Sequence, residues 1–260
     1  MSRLTLQIGP LHFIGIGGIG MSALAQLFVD SGVSVTGSDR EASLVTELLE
    51  RKGIKVAIGQ KAENVPEDAD VAIYSDAVGV ENPERVRAEG LGIKQCSYFE
   101  MLGEVSKGPS TGSGQGRKTI AVAGTHGKTT TTGMLAKILK DAGASPTAII
   151  GSIVKDFGSN YLSAGQAGLH SSTSLGAGGS NLFVIEACEY RDHLLELSPQ
   201  ILVITNLEWD HTDYFPSLSA LQATFQEAIG RVSADGAIVT NPRDANIAPL
   251  LKAARGTAGT

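Results

Sequence analysis

The sequence is short of the residues that several whole classes of function require. Its two cysteines, Cys96 and Cys188, lie far apart with no CxxC or Cys/His spacing, so neither a disulfide framework nor a zinc site is supported. No stretch approaches the roughly 18 apolar residues of a membrane span. The N-terminus also lacks a basic region followed by an apolar run and a small-residue cleavage site. A soluble, cytoplasmic chain with reduced thiols and no membrane partner is expected. Basic residues are outnumbered, 21 Lys and Arg against 27 Asp and Glu, and the net charge of -6 disfavours binding along a nucleic-acid backbone. Glycine is abundant instead: 32 residues, well above the average usage of about 7%, which directs the search to loops whose backbone does the work. With 42% hydrophobic and 18% charged residues over 260 positions, the chain is globular and long enough for one or two cores.

Apolar runs of strand length alternate with amphipathic stretches, a pattern that predicts an α/β fold of parallel βαβ units. Strands are expected at 11–16, 33–37, 71–74, 119–123, 183–185, 201–205 and 237–240. Helices are expected at 21–30, 44–51, 83–89, 129–141 and 219–232, the last opened by Ser219 with Gln222 in a capping-box spacing. Residues 106–118 contain no apolar side chain and read as a solvated connection between two units, 1–105 and 119–260. A second Gly/Ser-rich stretch, 163–180, reads as a long surface excursion.

Gly15-Ile16-Gly17-Gly18-Ile19-Gly20 is a GxGxxG directly after a predicted strand and before a predicted helix, with Asp39 at the end of the next strand. Glycines allow a tight turn and let the backbone approach a diphosphate, whose charge then sits at a helix N-terminus. The pattern indicates a dinucleotide or a nucleotide diphosphate and does not choose between them.

Gly124-Thr125-His126-Gly127-Lys128-Thr129-Thr130 is a phosphate loop, again between strand and helix. Backbone N–H groups would wrap the phosphates, Lys128 would add a point charge, and the Thr129 hydroxyl suits magnesium. The strict spacing would place glycine at Val122, so the loop is a shorter variant that begins at Gly124. Two acidic groups follow predicted strands, at the end of the sheet where open α/β folds bind ligands. They are Glu186 with Glu189, and Asn206, Glu208, Asp210, His211 and Asp213. Glu208 and Asp213 read as solvated or capping side chains, His12 as packing, and His170, His193 and Trp209 indicate no site by themselves.

HFIGIGGIGMSALA, GSD, AGTHGKTTTT, VIEACEY and VITNLEWDHTDY, in that order and divided by a polar linker, closely resemble the Mur ligases of peptidoglycan synthesis over nearly the whole chain. Within that family the likeness is to the branch that joins L-alanine to UDP-N-acetylmuramate. The resemblance implies an ADP-forming amide ligase with a Rossmann-like UDP-sugar domain, a P-loop-type ATPase domain and a third domain that brings the amino acid. It implies that Gly17, Gly18, Ile19 and Gly20 contact the UDP diphosphate, with Ser38, Asp39, Ser75, Asp76 and Ala77 near the rest of the nucleotide. Gly124 to Thr130 would hold ATP, Thr129, Glu186 and His211 would surround Mg2+, and Lys128, Glu186 and His211 would carry the catalysis.

The chain also departs from the family pattern. It reads Arg191-Asp192-His193-Leu194 after the EY, and it stops at Thr260, short of the family's third domain. The expectation is an incomplete central domain and a piece that does not turn over alone. Three alternatives stay open: the murein-peptide recycling ligase of the same family, a non-catalytic nucleotide-binding module, and an NAD-dependent oxidoreductase built on the GxGxxG and Asp39. The last leaves the phosphate loop unexplained.

Overall fold

The structure, a computed structural model, describes residues 9–108, 117–164 and 181–257. The first sheet contains β1 (Leu11–Ile14), which leads through the glycine turn into α1 (Ile19–Asp30), followed by β2 (Val35–Asp39) and α2 (Leu44–Arg51). β3 (Lys55–Ile58), β4 (Val71–Tyr74), α3 (Pro83–Gly90), β5 (Lys94–Ser97) and α4 (Tyr98–Lys107) complete the unit. The strands run in the order β3-β2-β1-β4-β5, all parallel. The order reverses at β1, so the turn after β1 opens into the crevice where such sheets bind ligands.

The second unit opens with β6 (Lys118–Ala123), α5 (Lys128–Asp141), β7 (Thr147–Val154) and β8 (Ser159–Leu162). β9 (Leu182–Glu186), β10 (Ile201–Ile204), α6 (Leu218–Gly230), β11 (Ala237–Thr240) and α7 (Ala248–Thr257) follow. The order is β11-β10-β6-β9-β7-β8, parallel except for β8, which pairs antiparallel with β7. β6 and β9 are flanked on both sides and, apart from Lys118 and Thr119 at the start of one and Glu186 at the end of the other, are apolar, the composition expected of central parallel strands.

All strands expected from the sequence form, with ends moved by a few residues. β3, β5, β7 and β8 were not expected. β3 and β5 are short edge strands that open with lysine and bury little, β8 is also an edge, and β7 has its apolar run broken by Gly151 and Ser152. α4 and α7 are likewise additions. The expected Ser219/Gln222 capping box is not the one that forms. Ser217, extended at φ -158, caps α6 by accepting from the Ala220 N–H at 3.2 Å. Ser219 therefore lies inside the helix, and the Gln222 amide donates to the Asn246 carbonyl at 2.9 Å. Of the polar stretch 106–118, Ser106 and Lys107 close α4 and Lys118 begins β6, while 109–116 lie outside the described residues. Most of 163–180 lies outside them as well.

The two units meet where α1 packs against β7 and β8. Asn160 on β8 is buried there, with its amide donating to Ile19 O and, at 2.9 Å, to Ser22 Oγ. Gln26 donates to Asn160 Oδ1 at 3.1 Å and accepts from Ser159 Oγ at 3.1 Å. Every polar atom of the Asn160 side chain is thus satisfied, which lets a polar cluster be buried at little cost. The first turn of the glycine-loop helix is braced by the second unit.

Candidate functional site

The glycine loop is held by its neighbours in the sheet. Gly15 and Ile16 both donate to Ser38 O at 2.9 Å, and Gly17 N donates to Asp39 Oδ2 at 2.7 Å. Asp39 is therefore spent on the loop, where an NAD site would need it for a ribose. The Ser38 hydroxyl donates to the fully buried Glu84 at 2.6 Å, and Glu84 also receives Asn64 at 2.7 Å and the ring of His12 at 3.1 Å. Burial raises the pKa of Glu84, but the hydrogen bonds from His12, Ser38 and Asn64 outweigh it and hold the carboxyl below its ordinary range. Gly18 caps α1 without any side-chain bond, and no acid stands in the first turn, so the N–H groups there are available to an anion. A cavity of about 390 Å³ runs from Gly15 and Gly17 past Asp39 to Ser75 and Ala77.

Beside it a cleft of about 270 Å³ is lined by Gly18, Gly20 and Asp76 of the first unit and by Gly151, Glu186 and Cys188 of the second. Ile19 and Ser75 line it too. Burial raises the Cys188 thiol above its ordinary pKa and pushes that of Cys96 up to about 12, so both stay protonated at neutral pH.

The phosphate loop follows β6. Gly124 has φ 121, and a Cβ there would lie 2.7 Å from Asn206 O, so only glycine fits. Asn206 clasps the loop in both directions: its Oδ1 accepts from His126 N at 3.0 Å and its amide donates to His126 O at 2.9 Å. The Thr125 hydroxyl exchanges bonds with the backbone of Glu208, and Gly127, left-handed at φ 80, starts α5. The side chains of His126 and Glu208 point to solvent, 3.7 Å apart, and Thr130 is exposed one residue beyond Thr129.

Lys128 Nζ lies back on its own loop, 2.6 Å from Gly124 O, and pairs with Glu189 Oε1 at 2.9 Å. Thr129 Oγ1 donates to Glu186 Oε1 at 2.9 Å, and the other oxygen of Glu186 accepts from Gly151 N at 2.9 Å. Lys128, Thr129 and Glu186 are thus brought together at the ends of β6 and β9. His211, at φ 51, stands with Nε2 3.5 Å from Glu189 and its ring against Tyr190; its carboxylate neighbour is Glu189, not Glu186. Glu189 is 1% exposed, and its Oε2 is buried with no hydrogen-bond partner among the described residues. A carboxylate oxygen left so is expensive unless a cation or its water completes it.

Among the described residues no three His, Cys, Asp or Glu side chains converge as a metal cage. Magnesium does not need one, because it keeps water and phosphate oxygens and takes one or two protein oxygens. The Thr129 hydroxyl, the two glutamates and the orphaned oxygen fit that ion. Glu189 shared the strand-end position with Glu186 in the sequence; what distinguishes it, burial between Lys128 and His211, is tertiary.

Three further residues were not assigned to a site from the sequence. Asn160 and Gly151 act from β8 and β7, which carry no motif. His193 reaches the first unit, its Nε2 2.5 Å from Asp76 Oδ2 and its ring stacked on Phe99 at 3.6 Å. Tyr190 donates to Asp213 at 2.7 Å, which gives that exposed acid a partner.

Comparison with known proteins finds that residues 10–108 match the Mur ligase family, catalytic domain, and residues 122–259 the Mur ligase middle domain. The UDP-N-acetylmuramate–L-alanine ligase of Clostridium botulinum is 37% identical over 244 residues, which cover 94% of this chain and 48% of that protein. The Acetivibrio thermocellus enzyme of the same name is 38% identical over 242 residues, 93% of this chain and 47% of the relative. The chain spans about half the length of the curated relatives it matches. Among solved structures, the UDP-N-acetylmuramate:L-alanyl-gamma-D-glutamyl-meso-diaminopimelate ligase of Neisseria meningitides aligns with TM-score 0.80 and 31% identity, over 95% of this chain and 75% of that one. The UDP-N-acetylmuramate-alanine ligase of Thermotoga maritima aligns with TM-score 0.75 and 32% identity, over 93% and 51%.

Proposed function

This chain belongs to the Mur ligase family, and on that premise we propose that it is the sugar-nucleotide and ATP half of a ligase that joins L-alanine to UDP-N-acetylmuramate. The observation that carries the reading is the single cleft lined by the uncapped start of α1 on one side and by Glu186, bonded to Thr129, on the other. A sugar nucleotide anchored by its diphosphate at Gly17, Gly18, Ile19 and Gly20 would extend its carboxylate toward the phosphate loop. The similarity to curated relatives named for L-alanine favours that branch over murein-peptide recycling.

In this reading the first unit, 1–105, holds the UDP-sugar, with Ser38, Asp39, Ser75, Asp76 and Ala77 shaping the nucleotide site. The second unit, 119–260, holds ATP on Gly124 to Thr130, and Thr129, Glu186, Glu189 and His211 would hold Mg2+. The bound ion offsets phosphate charge. The substrate carboxylate attacks the γ-phosphate in line and ADP leaves; the acyl phosphate is then open to the amine of the amino acid. Lys128 leaves Glu189 and the loop carbonyls to meet the transferring phosphate, and the N–H groups of the loop orient it. The amino-acid site belongs to the part of the relatives that this chain does not span.

The test is ADP formation by the complete gene product with UDP-N-acetylmuramate, MgATP and L-alanine. ADP release that depends on both co-substrates supports the ligase. Tight binding of both nucleotides without ADP formation favours the non-catalytic module.

A further inference from the structure

A strained turn delivers His193 to the first unit. Arg191 and Asp192 are both left-handed, φ 53 and 61, a conformation that strains non-glycine residues and persists only where the surroundings impose it. The surroundings do so here. Asp192 receives the Tyr214 hydroxyl and the Thr224 hydroxyl, both at 2.5 Å, and its N–H donates to Glu189 O at 3.1 Å. The next residue, His193, then meets Asp76 and lies flat on Phe99, with 10° between the rings. Asp76 and Phe99 both line the cleft at the start of α1.

That placement has a consequence for an anionic ligand. A diphosphate drawn to the N-terminus of α1 approaches a wall that contains the Asp76 carboxylate, and like charges at that range repel. With its proton on Nε2, the His193 ring donates to the carboxylate and holds it toward the second unit. Asp76 is the charged partner of the ring, with Arg191 and Glu196 the other charges near it. Burial, working against Asp76, keeps the imidazole pKa below its ordinary value, so at neutral pH the ring acts as a neutral donor.

We propose that His193 is a positioning residue for the sugar nucleotide: it holds Asp76 and Phe99 in the cleft wall so that the carboxylate faces the imidazole and not the diphosphate. The proposal rests on the sugar-nucleotide reading above, and it gives the Arg191-Asp192-His193 departure a role.

Calorimetric titration with UDP-N-acetylmuramate and, separately, with MgADP tests it on the wild type, His193→Ala, His193→Gln and His193→Ala/Asp76→Asn. His193→Ala is expected to weaken sugar-nucleotide binding about tenfold or more while MgADP stays within about twofold. Gln, which keeps an N–H donor, restores part of the loss, and removing the carboxylate in the double variant restores it too. Unchanged sugar-nucleotide affinity in His193→Ala, or an equal loss for both ligands, overturns the proposal. If the wild type binds MgADP but no sugar nucleotide, the functional reading fails, and hydrogen exchange then decides the positioning role. Amides of residues 75–78 and 98–101 should exchange about tenfold faster in His193→Ala, and unchanged rates overturn it.

Discussion

Lys128 Nζ and Glu189 Oε1 are 2.9 Å apart, and the other oxygen of that buried carboxylate has no hydrogen-bond partner among the described residues. Lys128 thus neutralises an acid that is otherwise buried beside His211 alone, and in the proposed reading it is the cation that phosphates would draw away. Lys128→Ala should lower stability by about 2–3 kcal/mol, toward the low end for a broken buried pair because Lys128 keeps some solvent contact. Adding Glu189→Gln should recover at least half of that. Urea denaturation of the single and double variants measures it; equal loss in both would show that the pair is not coupled.

Gly151 and Glu186 make a second test. The Glu186 carboxylate sits so close to Gly151 that a Cβ would lie 2.8 Å from its carboxyl carbon. Gly151→Ala should push the carboxylate off Thr129, weakening MgATP binding about tenfold at a stability cost of about 1 kcal/mol. Nucleotide titration beside thermal unfolding separates the two effects. MgATP affinity equal to that of the wild type would remove Glu186 from the site.

The placement of the candidate residues was legible where it is local. Lys128 and Thr129 follow from a loop between a strand and a helix, and Glu186 from the end of a strand with no polar residue before it. Glu189 and Glu186 look alike in sequence, and only the fold buries one of them against Lys128. Asn206 acts on His126, some eighty positions earlier in the chain, and no spacing rule reaches that far. The same division holds for the fold. β6 and β9 announce themselves as apolar runs, whereas β3 and β5, at sheet edges, carry lysine and little that must be buried. The cap of α6 was displaced by two residues because Ser217 and Ser219 are equally good caps and the backbone chose the extended one.

Asn160 joins the units through Ile19 and Ser22. Asn160→Ala removes one of the two acceptors of the buried Gln26 amide, the Ser22 carbonyl remaining, and a loss of about 1–3 kcal/mol is expected. Because the first turn of α1 loses its brace, sugar-nucleotide affinity should fall with it. Denaturation and titration of the same variant check both, and an unchanged unfolding midpoint would contradict the buried network.

Glu84 sets a pH dependence. Its folded pKa lies below the ordinary value, so its contribution is fully present above the unfolded carboxyl pKa and is lost as pH falls through the depressed one. Stability measured downward from about pH 6 should therefore decline below about pH 4.5, and Glu84→Gln should flatten that part of the curve. An identical acid limb in the variant would assign the decline to other carboxylates.

The central claim is that the glycine loop takes a sugar nucleotide and the phosphate loop a separate one. Gly18 offers the cleanest probe, because a Cβ there meets nothing nearer than 3.4 Å among the described residues, so a larger side chain obstructs a ligand more than the fold. The measurement is calorimetric titration of UDP-N-acetylmuramate, with NADH as competitor, into the wild type, Gly18→Val and Lys128→Ala. The account predicts micromolar binding to the wild type and to Lys128→Ala, none to Gly18→Val, and no heat from NADH. Binding of NADH with silence toward the sugar nucleotide, or loss of sugar-nucleotide binding in both variants, would contradict it.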